Sequence, residues 1–217
     1  MLAAEDRLRE RARAHLLESA EVKRQLARES LDEVVAAARL IAESLAGGGK
    51  LLLCGNGGSA ADCQHVAAEF VSRLSADFER PGLPAIALTT DSSFLTAYAN
   101  DYSFDGVFER QVLALGKPGD VLIGISTSGG SRNVILAVEA AAALSMGTII
   151  LTGRDGPLTS MGQVTLSVPS RNTQYVQEAH LAIEHAMVDL AERFLYGDVE
   201  SVRSGQKKGT EFRRTAS

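Results

Sequence analysis

LLLCGNGGSAADCQHVAAEF, residues 51–70, is the stretch from which the fold is read. The apolar run LLLC reads as a buried strand, GNGGSA as a glycine turn, and the remainder as a helix opened by that turn. His65 and Glu69 stand at i, i+4 on this helix and therefore share one face. One segment thus offers a strand, an anion-sized cradle at a helix N-terminus, and a pair of side chains suited to proton transfer or metal binding.

Downstream, four more short apolar runs follow: AIALTT from residue 85, VLIGIS from 121, TIILTG from 148 and VTLSV from 164. Intervening stretches such as SRNVILAVEAAAALSMG are long enough for the helical crossovers that parallel strands require. The pattern implies an α/β fold, a doubly wound, mostly parallel sheet of five strands, with ligands at the carboxyl ends of the strands. Upstream, residues 4–27 and 31–45 read as two helices, the second showing Val34, Ala38, Ile41 and Leu45 on one face and Ser30 as its cap. Two such helices either pack against another subunit or cover one face of their own sheet. A last helix is expected over 173–195, ended by Gly197. The organisation is then a helical assembly segment at 1–48, a core at 49–197, and a polar, basic tail at 198–217 expected to be disordered.

With 217 residues, 45% of them hydrophobic, the chain can bury one sizeable core. It has no apolar run long enough for a membrane span, and its charged N-terminal stretch lacks the apolar centre of a secretory leader, so a cytoplasmic location is expected. Cys54 and Cys63 fit no metal or redox spacing and read as reduced packing residues. A net charge of -5 argues against a nucleic-acid partner and for a small molecule.

Gly55 to Ala60 matches the G-x-G-x-x-G/A dinucleotide fingerprint in form only. The acidic residue expected about 20 positions on, at the end of the next strand, is misplaced, because Asp77 and Glu79 precede that strand. A stronger anion site is Ser126-Thr127-Ser128-Gly129-Gly130-Ser131, where hydroxyls and glycine-exposed amides open a helix after a buried strand. No lysine follows in the manner of a triphosphate loop, so a phosphomonoester fits better. The last helix adds Gln177, His180, Glu184 and His185 to an otherwise apolar face. Gln177 and His185 are about 12 Å apart along a straight helix, so joining them with His65 and Glu69 at one ion needs inward-leaning side chains, a distorted helix or two subunits. Such a nitrogen and oxygen set suits zinc or a similar divalent ion. His180 reads either as a supporting partner of that set or as a satisfied core histidine.

These residues resemble those of the sugar isomerase (SIS) domains, and among them the bacterial phosphoheptose isomerases. The motifs are CGNGGSAADCQHVAAEF, ANDYSF at 99–104, GDVLIGISTSGGSRNV, LTGRDG and VQEAHLAIEH, and the similarity runs from about residue 5 to residue 196. The resemblance implies a flavodoxin-like core and the interconversion of sedoheptulose 7-phosphate with D-glycero-D-manno-heptose 7-phosphate, in heptose synthesis for lipopolysaccharide. It implies that Ser59, Ser126, Thr127, Ser128 and Ser131 hold the phosphate, and that Asn56, Gly57, Gly58, Asn100, Asp101 and Gln177 serve the sugar. Glu69 and His185 match the acid/base residues, and His65, Glu69, Gln177 and His185 match zinc ligands of some members. It further implies a homotetramer with sites between subunits. Gly130 departs from an asparagine common in the motif. A non-enzymatic branch of the superfamily, which promotes assembly of the replication initiator, keeps both loops but lacks the matching glutamate and terminal-helix histidine; Glu69 and His185 favour the enzyme.

Overall fold

A computed structural model of the chain describes residues 2–197. The tail at 198–217 lies outside the described residues. The five apolar runs form β1 (Leu51–Gly55), β2 (Ala85–Ala87), β3 (Val121–Ser126), β4 (Gly147–Thr152) and β5 (Val164–Ser167). They make one sheet in the order β2-β1-β3-β4-β5. Every pairing is parallel, so the sheet is wholly rather than mostly parallel. β1 pairs with both β2 and β3, Leu51 standing opposite Ala85 on one side and Val121 on the other. The strand order reverses there, and the crevice at such a switch point is where open α/β sheets take ligands.

Burial follows the pleat. Leu51 and Leu53 face a core layer with α2 (Leu31–Ala46), α3 (Gly58–Val71) and α7 (Thr173–Tyr196). Leu52 and Cys54 face a second layer with α5 (Val107–Leu115) and α6 (Arg132–Ala143). A sheet covered on both faces explains why its inner strands are continuous apolar runs with no alternation. Cys54 and Cys63 are both free and buried, and burial pushes the Cys54 thiol up to about 12.

Three local expectations need correction. AIALTT is a strand only over its first three residues: Leu88 gives its N–H to Leu53 O at 2.8 Å, and Thr89 and Thr90 then turn, their hydroxyls donating to Ala60 O and Ala87 O. Asp91 instead caps α4 (Ser92–Asp101), accepting from Phe94 N at 2.9 Å. Ser30 holds the N-cap position of α2 without a side-chain hydrogen bond, and its own N–H is tied back to Leu26 O of α1 (Leu2–Glu29) at 2.9 Å. The two N-terminal helices also part company. α2 buries Val34, Ala37, Ala38 and Ile41 against α7 and covers its own sheet. α1 covers little: Leu8, Leu16 and Leu17 are 66%, 69% and 58% exposed. It is strapped to α7 by polar contacts, His15 Nε2 to Glu178 Oε1 at 2.8 Å and Tyr175 Oη donating to Glu18 at 2.9 Å. Among the described residues, no helix is long and apolar enough to cross a membrane.

Candidate active site

α3 and α7 pack together on one face of the sheet, and their facing sides carry the reactive groups. His65 and Glu69, one turn apart on α3, meet His185 of α7. Glu69 Oε1 lies 3.1 Å from His65 Nε2 and 3.3 Å from His185 Nε2, and the two Nε2 atoms are 3.0 Å apart. The histidines are about half exposed, whereas the Glu69 side chain is only 11% exposed. Three lone-pair-bearing atoms thus converge at separations that only a proton or a cation between them makes favourable. Tetrahedral zinc ligands at about 2.0–2.1 Å from the ion stand roughly 3.3 Å apart, and the trio is close to that spacing. His65, Glu69 and His185 therefore fit a divalent ion.

Around the trio lie groups whose charge is poorly served. Glu69 Oε2, Asp62 Oδ2 and both carboxylate oxygens of Glu184 are buried without a hydrogen-bond partner. Burial pushes the Glu184 carboxyl up to about 8, helped by the negative charges of Asp62 and Glu69. Burial likewise raises Asp62, against a smaller opposing pull from His65. His180 is fully buried and is pushed down to about 4, again by burial. Its Nε2 meets Thr152 O at 3.2 Å, while Nδ1 has no partner. It is a neutral core histidine tied to β4, only half satisfied.

The two strand-to-helix turns sit at the switch point. At the first, Gly57 has φ +58 before α3 starts, a left-handed conformation that favours glycine. A Cβ at Gly58 would collide with the Gln177 amide, so α7 approaches the turn at its own N-terminal end. Ser59 is buried in the first turn of α3. At the second, Ser126 ends β3 and its hydroxyl is 2.9 Å from that of Ser131, the N-cap residue of α6. Gly129 has φ +66 and packs against the Asp155 carbonyl, which is why LTGRDG accompanies the serine loop. A Cβ at Gly130 would meet only the Ser128 hydroxyl, at 3.9 Å, so no clash requires glycine there. A reciprocal amide pair joins the two turns: Asn56 Nδ2 donates to Asn133 Oδ1 at 2.9 Å, and Asn133 Nδ2 to Asn56 Oδ1 at 2.8 Å.

Of the residues singled out in the sequence, His65, Glu69 and His185 come together. Asn56, Gly57, Gly58, Ser59 and Gln177 gather at the first turn, with Ser126, Thr127, Ser128 and Ser131 at the second. Gln177 is held beside Gly58, two helical turns from His185. Ser59 and Glu69 are ten residues apart on α3, about 15 Å along its axis. Asn100 and Asp101 stand exposed at the end of α4, Asn100 Nδ2 donating to Asp101 Oδ1 at 2.9 Å. Sequence reasoning missed Asn133, Asp62, Arg80 and Glu192. Asn133 had a signal, being two residues past the serine loop in the first turn of α6. The buried Arg80 had none, since E-R-P-G reads as an exposed turn.

The SIS domain family model matches residues 15–153. The phosphoheptose isomerase of Nitratidesulfovibrio vulgaris is 48% identical over 195 residues, 89% of this chain and 93% of that protein. That of a Roseiflexus species is 52% identical over 179 residues, 82% and 90% of the two chains. The solved phosphoheptose isomerase of Neisseria gonorrhoeae superposes with a TM-score of 0.78 at 49% identity, covering 84% of this chain and 97% of that one. Fold, motifs and relatives agree, and the chain belongs to the SIS-domain family, among its phosphoheptose isomerases.

Proposed function

We propose that this chain interconverts D-sedoheptulose 7-phosphate and D-glycero-D-manno-heptose 7-phosphate through an enediol, opening the synthesis of nucleotide-activated heptose for lipopolysaccharide. The observation that carries this reading is the Glu69 carboxylate, held by two histidines through one oxygen and left without a hydrogen bond on the other. Moving a proton between C1 and C2 needs a base at carbon and a proton donor at oxygen. Glu69 takes the carbon proton from one position and returns it to the other. His185, 3.3 Å from that carboxylate, transfers the oxygen proton and assists ring opening. Ser59, Ser126, Thr127, Ser128 and Ser131 hold the phosphate at the helix N-termini, with the sugar chain between Asn56, Gly57, Gly58, Asn100, Asp101 and Gln177. Binding energy gained at the phosphate, remote from the reacting carbons, positions C1 and C2 without stabilising the ground state at the reacting end.

His65, Glu69 and His185 would hold a zinc ion, with Gln177 as a fourth ligand supplied where chains meet. Bound there, such an ion would supply Lewis-acid polarisation of the substrate oxygens. Gln177, held beside Gly58 and two helical turns from His185, supports a site completed by a second chain. The exposed leucines of α1 support a homotetramer as the assembly that does so, working in the cytoplasm on a small-molecule substrate.

The test is Glu69→Gln. Turnover of sedoheptulose 7-phosphate, followed by NMR, is expected to fall by about a thousandfold, the range of a lost general base. Phosphosugar binding, read by calorimetry, persists. Wild-type-like turnover by this variant overturns the assignment. Absence of turnover by the unmodified protein, with and without added zinc, moves the reading to a phosphosugar-binding adaptor.

A further inference from the structure

At its C-terminal end a helix leaves carbonyls without partners, and in α3 those carbonyls belong to the turn that carries Glu69. One side chain collects them. Arg80 Nη2 donates to Glu69 O at 2.7 Å, and Nη1 donates to Phe70 O at 2.7 Å, Pro81 O at 3.0 Å and Ser72 O at 3.2 Å. On its other edge the same guanidinium grips α7, with Nε donating to Glu192 Oε1 at 2.8 Å and Nη2 at 2.6 Å from the same oxygen. Both side chains are buried, 1% and 3% exposed. Glu192 follows His185 by seven residues, two turns along the same face. A single rigid plane is therefore bonded to the backbone of Glu69 and to the helix of His185.

We propose that Arg80 is a positioning residue for the isomerisation, acting with Glu192 as a staple that sets the Glu69 carboxylate against His185. The inference rests on the acid/base reading of those two residues. Arg80 touches no reacting atom. Its planar fork fixes the angle between the last turn of α3 and α7, which a lysine ammonium, a point charge on a flexible stem, does not reproduce. Solvent alone would satisfy the α3 carbonyls, and a packed apolar pair would fill the volume, but neither would register one helix against the other.

The experiment compares Arg80→Lys, Glu192→Met and the double variant R80M/E192M in the full-length protein, with sedoheptulose 7-phosphate as substrate. In each, kcat is expected to fall roughly tenfold or more, as for a small misplacement of reacting groups. KM is expected to stay within about twofold, because the phosphate turns are untouched. The imidazole 15N resonances of His65 and His185 shift in the same variants, a change that simple loss of stability does not produce. R80M/E192M with a wild-type melting temperature and a wild-type kcat overturns the proposal. Should that variant not fold, Glu192→Met decides alone, since it removes the acceptor on α7 while the guanidinium keeps its carbonyls; unchanged kcat and resonances there overturn the staple. Glu69→Gln separates the two readings. If it is active, the acid/base assignment fails; if it is inactive while the Arg80 and Glu192 variants are wild-type, only the staple fails.

Discussion

Two clusters of buried charge lie along the same pair of helices and are built in opposite ways. Between the facing sides of α3 and α7, Asp62, Glu69 and Glu184 bring three carboxyl groups together and leave four of their oxygens without partners. Beyond the end of α3, Arg80 meets Glu192 and the α3 carbonyls, all within hydrogen-bonding distance. An unpaired buried polar group costs about 1–3 kcal/mol, more when charged, so the first arrangement is expensive and the second is not. Local conflict of this kind is tolerated where chemistry or a cation uses it. The paired cluster holds; the unpaired one is poised to accept protons or metal.

Mutation can break the contrast from either side. The largest effect is expected from breaking the paired cluster: Arg80→Met alone strands a buried carboxylate and should cost about 3–5 kcal/mol in urea denaturation, while R80M/E192M recovers most of it. A cost below about 1 kcal/mol would show the pair to be no better served than a surface bridge.

The unpaired cluster should respond with the opposite sign. Folded protein keeps the Glu184 proton up to about pH 8, whereas the unfolded chain releases it near the ordinary 4.5. In metal-free protein Glu184 therefore makes stability decline as pH rises through that window, by up to about 1.4 kcal/mol per pH unit. His180, pushed down to about 4, works the other way, adding stability as pH rises from 4 to 6.5 and nothing above. His180 thus contributes no slope between pH 6.5 and 8, where the Glu184 effect is read. Glu184→Gln should match the wild type near pH 5 and exceed it at pH 8 by on the order of 2–4 kcal/mol in urea midpoints. Equal stability at both pH values would mean that the carboxylates are not in conflict. The smallest effect belongs to a charge cluster near the surface. Glu178, held low by Ser19 and His15 but 41% exposed, straps α1 to α7, and Glu178→Gln should cost less than about 1 kcal/mol.

What the sequence discloses divides along the same line. Strands β1, β3 and β4 are legible because a sheet covered on both faces demands unbroken apolar runs. The serine loop and the His65/Glu69 pair are legible because their meaning is local, a few residues on one turn or one helix face. β2 is overread because Thr89 and Thr90 have strand propensity, while their hydroxyls turn the chain toward α4. Ser30 looks like a cap but serves a bend between helices. Arg80 and Glu192 are illegible for one reason: charged side chains are presumed exposed, and the burial of each is decided by the other, 112 positions away. Gln177 shows the limit of motif reasoning, since its place beside Gly58 follows from how α7 lies across α3.

The amide clasp between Asn56 and Asn133 bears on the chemical lifetime of the protein. Asn-Gly is the dipeptide in which the following backbone nitrogen most readily attacks the side-chain carbonyl, expelling ammonia through a cyclic imide. Asn56 precedes Gly57, in the turn that joins β1 to α3. With its oxygen accepting from Asn133 and its nitrogen donating back, the side chain is locked in one orientation rather than free to reach its own backbone. A clasp that registers two loops thereby also slows ageing, and deamidation of Asn56 would introduce a negative charge beside the turns proposed to hold the phosphate.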